Sequence, residues 1–393
     1  MRLGRGNGNP GSYDFGLTVA QEERAKRLHG ESVIVDLVAQ HAGGSNIFDH
    51  YPTELQAQLR YRTEGMSAWE ALTETEYWPY EMSKLDKSHL IRDWYLASGL
   101  TCGTYGIGVH DGHDPTCLKL DAVNAIFEQL PWLRCVTTAR EIRQAKRDGL
   151  VALYAQWQPF VPAPRDLRAL DVAYAKGLRS FMLTYNQMDN IGVGCTERVD
   201  AGLSMFGVSV VKHCNDIGMI VDVSHCGYQT TMDACRCSTK PVTANHTAAK
   251  ALYSHARGKK DEALKAIADT GGIVGVVAVP AFLTSAANPS IQHMLDHIEY
   301  ISDHIGWRHV CIGTDWPMQA PLDILGVTLK IEAQNIGFRE EDRLDLTMRL
   351  DGFEDSRDLL NITRGLVGRG FEDEQIKGIL GENALRVFEE ICG

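Results

Sequence analysis

No apolar stretch in the sequence approaches the ~18 uninterrupted residues that a bilayer-spanning helix needs. The opening segment, Met1 to Leu17, is rich in Gly, Asn and charge and has no apolar core of the signal-peptide kind. A membrane role is therefore not expected, and we expect a soluble, cytoplasmic protein. Basic blocks and Lys/Arg stripes are also missing, and the formal net charge is −12, which argues against nucleic acid as a partner. The ten cysteines lie scattered without the paired CxxC spacing of a structural zinc site, so most are expected to be buried small hydrophobes. No internal repeat or low-complexity tract interrupts the chain.

What is present is ordinary globular composition, 44% hydrophobic and 23% charged over 393 residues, enough to bury a large core without staples. Short β-branched runs alternate with longer segments of helical spacing, the pattern of repeated βα units on a parallel sheet. The runs are Val33–Val38, Leu100–Gly108, Leu150–Ala155, Leu178–Thr184, Met219–Val223, Pro241–Asn245, Ile273–Ala278 and Val310–Thr314. Eight strands favour a closed (β/α)8 TIM barrel, an α/β fold, spanning residues 31–393 after an N-terminal extension over residues 1–30. Crossover helices are expected over Ser204–Asp216 and Asp261–Asp269, the second stopped by Gly271-Gly272. The aromatic segment 48–93 follows the first strand, where a barrel carries substrate-facing insertions, and reads as a helical cap.

Residues at the C-terminal ends of barrel strands point into the active site. Three such ends carry chemistry: Asp222-Val223-Ser224-His225 at the fifth, Ala244-Asn245-His246 at the sixth and Gly313-Thr314-Asp315 at the eighth. Two imidazoles with a carboxylate suit a divalent ion, zinc first among them. Such a metal lowers the pKa of bound water and polarises a carbonyl. Asp315 is then placed to take a proton from water and pass it to a leaving group. Arg257, after the sixth strand, has the planar fork of donors that holds a substrate carboxylate.

From about residue 176 onward the same segments resemble the renal (membrane) dipeptidase family of zinc peptidases. The likeness rests on Gly202-Leu203-Ser204-Met205-Phe206-Gly207, on Gly218 to His225, on Pro241 to His246 and on His309 to Asp315. It continues through the tail, Asn361-Ile362-Thr363-Arg364-Gly365-Leu366, Ile379 to Asn383, and Arg386-Val387-Phe388. The resemblance implies an amidohydrolase-type barrel that cleaves dipeptides with two zinc ions bridged by a glutamate. Carried over by position, it implies that His225 and His246 hold one metal, that Asp315 transfers the proton and that Arg257 binds the substrate carboxylate.

Four positions depart from the family pattern. The first strand of the family ends in Asp-x-His-x-Asp, whereas this chain reads Asp36-Leu37-Val38-Ala39-Gln40. The bridging glutamate appears as Gln156 and the substrate-contacting histidine of the fourth strand as Tyr185, followed by Asn186. We expect Tyr185 to join Asp315 in catalysis, with Gln156 and Asn186 as substrate-binding neighbours. His41, His110 and His113 are loop histidines that stand near enough in sequence to replace a lost ligand. The leading expectation is a one-metal amidohydrolase acting on a dipeptide or N-acyl amino acid, with a homodimer as its assembly. Two alternatives stay open: a lyase, isomerase or decarboxylase working on a small carboxylate, and a catalytically silent binding homologue.

Overall fold

In the computed structural model the structure describes residues 10–39, 51–66, 82–107, 113–159, 165–315, 333–345 and 348–393. Strands form where the β-branched and small apolar runs lie. They are β1 (Cys102–Ile107), β2 (Leu133–Cys135), β3 (Val151–Trp157), β4 (Leu178–Met182), β5 (Ile220–Asp222), β6 (Val242–Ala249), β7 (Gly258–Lys259), β8 (Ile273–Val276) and β9 (Val310–Ile312). All pair in parallel, in the order β1-β3-β4-β5-β6-β8-β9. The segment Ile34–Leu37 joins the two edges of this path, since Asp36 N–H donates to Cys102 O and Leu37 N–H to Ile312 O. Together with the seven strands on the path it forms the eight staves of a closed α/β barrel, as the run count predicts.

Two strands were not expected. β2 extends the lower half of β3, and β7 pairs only with the end of β6. The sixth stave is longer than predicted: β6 runs to Ala249, so His246 lies within it rather than past its end. Its pairing with β8 shifts register between Ala244 and Thr247, an irregularity of the kind that re-aims a side chain. Glycine is required alongside: a Cβ on Gly313 would sit 1.7 Å from Asn245 O.

Helices cover the outside with their apolar faces inward. Met205–Ile217 starts at Ser204, whose hydroxyl accepts from Gly207 N–H, and stops at Gly218 in the left-handed region. Asp261–Asp269 agrees with the sequence reading to the residue. Of the segment 48–93, the described residues hold the helix Thr53–Thr63 and the start of His89–Ser98. The helix Val19–Glu31 buries Ala25 and Leu28 completely, and Glu22 pairs with Arg364.

The closed end of the barrel is sealed by the tail. A π-turn over Gly378–Glu382 leaves Leu380 O free to accept from Val35 N–H at 2.8 Å. Asn383 Nδ2 then donates to Trp307 O and Val310 O, both at 2.8 Å. No described helix is long and apolar enough to cross a membrane.

Candidate active site at the strand ends

The turn that follows β5 is organised by one buried carboxylate. Asp222 Oδ1 accepts from Ser224 N–H at 2.9 Å, from Ser224 Oγ–H and from Asn245 N–H at 3.1 Å, tying the fifth strand end to the sixth. Asp36 does the same across the barrel seam, accepting from Val38 N–H, Thr314 N–H and Thr314 Oγ–H. Each aspartate thus folds its own strand end two residues on and anchors a neighbouring strand.

These anchors bring His225 and His246 together with their Nε2 atoms 2.9 Å apart. Asn186 Oδ1 lies 2.7 Å from His225 Nδ1, and an amide oxygen only accepts, so that nitrogen carries the proton. His225 Nε2 is then an acceptor and His246 Nε2 donates to it. Burial, then the positive charge of Arg257, holds both imidazoles well below their ordinary pKa. They stay neutral, the form that ligates a metal.

Asp315 stands beside this pair. Its carboxylate Oδ2 is 3.9 Å from His246 Nε2, and its backbone is in the left-handed region at φ 52°. Its N–H donates to Val38 O at 2.8 Å, which holds that sparsely populated conformation. Tyr185 stacks on His225 with centroids 3.9 Å apart, and burial followed by the charge of Asp315 pushes its hydroxyl well above the ordinary range. The phenol therefore remains a proton donor.

Arg257 was expected to offer an open fork to a carboxylate. The structure places it at 1% exposure with Nη1 donating to Ser224 O at 2.5 Å and Nη2 to His246 O at 3.0 Å. Its buried Nε is left without a partner. Gln156 lies one layer deeper, its Oε1 3.5 Å from Asn245 Nδ2, which also donates to Ser180 Oγ. Asn186 was read as a substrate contact, yet its oxygen is committed to His225 and its buried Nδ2 is unpartnered.

His225, His246, Asp315, Tyr185, Asn186 and Arg257 thus meet, with Gln156 beneath them. Gln40, His41 and His110 lie outside the described residues, and His113 opens the helix His113–Phe127. Sequence reasoning passed over Asp36, Asn245 and Lys259 as site components and gave Asp222 no role. The signal for the aspartates was there: a carboxylate inside an apolar strand run must find donors.

Comparison with known proteins identifies the family. The profile of the membrane dipeptidase family, peptidase family M19, matches residues 22–326 and 341–392. A curated relative, dipeptidase verJ of Clonostachys rogersoniana, is 25% identical over 280 residues, covering 70% of this chain and 65% of that protein's length. Among solved structures, an amidohydrolase from Pseudomonas aeruginosa superposes with TM-score 0.71 at 24% identity, over 94% of this chain and 99% of its own. The probable dipeptidase PvdM of the same organism gives TM-score 0.69 at 18% identity, over 95% and 99% of the two chains. By the extent of the family match, this chain belongs to the membrane dipeptidase family, peptidase family M19.

Proposed function

We propose that the protein hydrolyses an amide in a dipeptide or N-acyl amino acid, with one divalent cation, zinc in the first instance, held by His225 and His246. The observation that carries this is the convergence of two buried imidazoles, their Nε2 atoms 2.9 Å apart, with the Asp315 carboxylate 3.9 Å from His246 Nε2. Buried polar groups in folded proteins are mostly satisfied, so the unpartnered Asn186 Nδ2, His246 Nδ1 and Arg257 Nε are consistent with a polar substrate group beside the imidazoles.

The donor chemistry suits one cation and not two. Two neutral imidazoles converge, and Asp315 is near enough to complete the set with a small movement. Among the described residues no three His, Cys, Asp or Glu side chains already form one ligand group. Where a second cation would need a carboxylate and an imidazole, the chain has Gln156 and the fully buried hydrocarbon of Val38. When bound, a divalent cation would lower the pKa of a water and polarise the scissile carbonyl.

The chain's own groups divide the remaining work. Asp315 takes the proton of the attacking water and delivers it to the leaving nitrogen. Tyr185, kept protonated, donates to oxygen as negative charge develops there. Arg257 is a buried cation with no ion pair among the described residues, and its Nε–H side would receive a substrate carboxylate. Asn186 fixes the ring of His225 so that Nε2 faces the cation.

The absence of carboxylate at Gln156 and of imidazole at Val38 also favours a second reading, acid–base chemistry by Tyr185 and Asp315 on a small carboxylate without hydrolysis. The test is elemental analysis of purified wild type and of a His225→Ala, His246→Ala double variant, followed by a dipeptide panel. About one metal per chain, lost in the variant, together with amide cleavage, is the expected result. Metal at two per chain would overturn the one-cation reading, and metal without cleavage of any dipeptide would move the assignment to the second.

A further inference from the structure

Lys259 is a charged residue at 4% exposure, one residue after the short β7 begins. Its Nζ donates to Val223 O and Cys226 O, both at 2.7 Å, and to Thr231 Oγ at 3.1 Å. All three ammonium protons are therefore used, and two of them hold the ends of the turn that carries His225. The carbonyls between are held as well: Arg257 Nη1 donates to Ser224 O, and Cys195 N–H donates to His225 O at 2.8 Å. Every carbonyl from Val223 to Cys226 accepts from outside the turn.

Burying an ammonium is costly, and an apolar side chain of the same length would fill the space without that desolvation. Packing alone does not call for a lysine here. The pairing of β7 with Ala248 and Ala249 of β6 places the lysine stem beside the strand that bears His246, so one short strand reaches both histidine-bearing elements. We propose that Lys259 is a positioning residue that clamps the Val223–Cys226 turn and so fixes the His225 ring toward His246. The proposal rests on the reading that His225 and His246 hold a cation, but the clamp itself is independent of the metal. Among the described residues no carboxylate forms an ion pair with the ammonium, whose titratable and charged neighbours are Cys226, Cys195, Cys235, Arg257, Asp222, His225 and His246. Its hold on the turn is thus by hydrogen bonds to main chain.

The test compares wild type with Lys259→Met, which keeps the stem and removes the donors, and Lys259→Gln, which keeps two N–H donors at shorter reach. Three readouts are taken: thermal melting, Zn2+ affinity by chelator competition, and the histidine ring signals in long-range 1H–15N spectra of the zinc-free protein. Lys259→Met should melt cooperatively, bind Zn2+ at least tenfold more weakly and show the His225 ring signal broadened or split. Lys259→Gln should recover part of both. Zn2+ affinity within threefold of wild type with one sharp His225 signal in Lys259→Met would overturn the clamp. If wild type takes up no Zn2+, the one-cation reading fails while the ring signals still decide the clamp. Failure of both variants to fold would assign Lys259 to the fold alone and also overturn it.

Discussion

At the ends of β5 and β6 the polar groups of two turns are bound by Asp222, Arg257, Lys259 and Asn186, and two imidazoles face each other across 2.9 Å. At the first strand and β3 the corresponding positions hold Val38, fully buried, and Gln156, whose amide joins a neutral network with Asn245. The backbone frame is the same on both sides of the mouth: Asp36 anchors one strand end as Asp222 anchors the other. The difference teaches that scaffold and ligand set are separable. Asp36 and Asp222 shape both strand ends alike because they satisfy main-chain donors whatever occupies the pocket.

The largest effect is expected where Asp315 meets the histidine side. Asp315→Asn should lower turnover by roughly 10²- to 10⁴-fold with substrate binding little changed, measured by steady-state kinetics on any dipeptide the wild type cleaves. Turnover near wild type would remove the proton-transfer role and with it the functional asymmetry of the mouth.

Acid should expose the histidine side next. His225 and His246 are pushed well below 6.5 by burial, as is His29, which comes down to about 4. The unfolded chain binds more protons than the folded one below the unfolded pKa, so stability is full above about pH 6.5 and falls as pH drops toward the folded values. His29 alone accounts for on the order of 3 kcal/mol between those limits. Asp189, raised to about 6 by burial, acts in the opposite sense over the same window. The check therefore compares urea midpoints from pH 8 to 4 for wild type and His29→Gln, and an equal pH slope in the two would contradict a neutral buried His29.

The neutral side is tested by Gln156→Glu, which buries a carboxylate beside Asn245. Stability should fall by about 1–3 kcal/mol without metal, and added Zn2+ should restore part of it. Restoration to two bound metals per chain would show that Gln156 alone blocks the second cation. Arg257→Lys should have the smallest effect, raising KM by about tenfold with kcat retained, as the planar donor set is lost. An unchanged KM would leave Arg257 with only its hold on Ser224 O and His246 O.

Much of the barrel was legible before any coordinates. Eight β-branched runs at βα spacing predicted eight staves, and Asp261–Asp269 was found to the residue. β2 and β7, three and two residues long, carry no periodicity to read, and the extension of β6 to Ala249 was hidden because Thr247-Ala248-Ala249 has no strand-specific pattern. His225 and Asp315 were legible because position after a strand end decides which side chains reach the mouth, whereas His246 was found although β6 continues three residues beyond it to Ala249. The partners of those residues were not. Asn186 meets His225 from 39 positions away, and Lys259 and Arg257 sit in a Gly- and Ser-containing segment that reads as solvated loop.

Local sequence therefore determined the strands, their order around the barrel and the two histidines and aspartate that they carry toward the mouth, since alternation, β-branching and chain order act over a few residues. Tertiary structure alone decided that two cations lie buried behind the histidines, that Asn186 sets the proton on His225, and that Arg257 holds main chain before any ligand. The physical reason is that a buried polar group takes whichever donor or acceptor the fold brings within about 3 Å, and that choice is made by packing across the barrel rather than by neighbours along the chain.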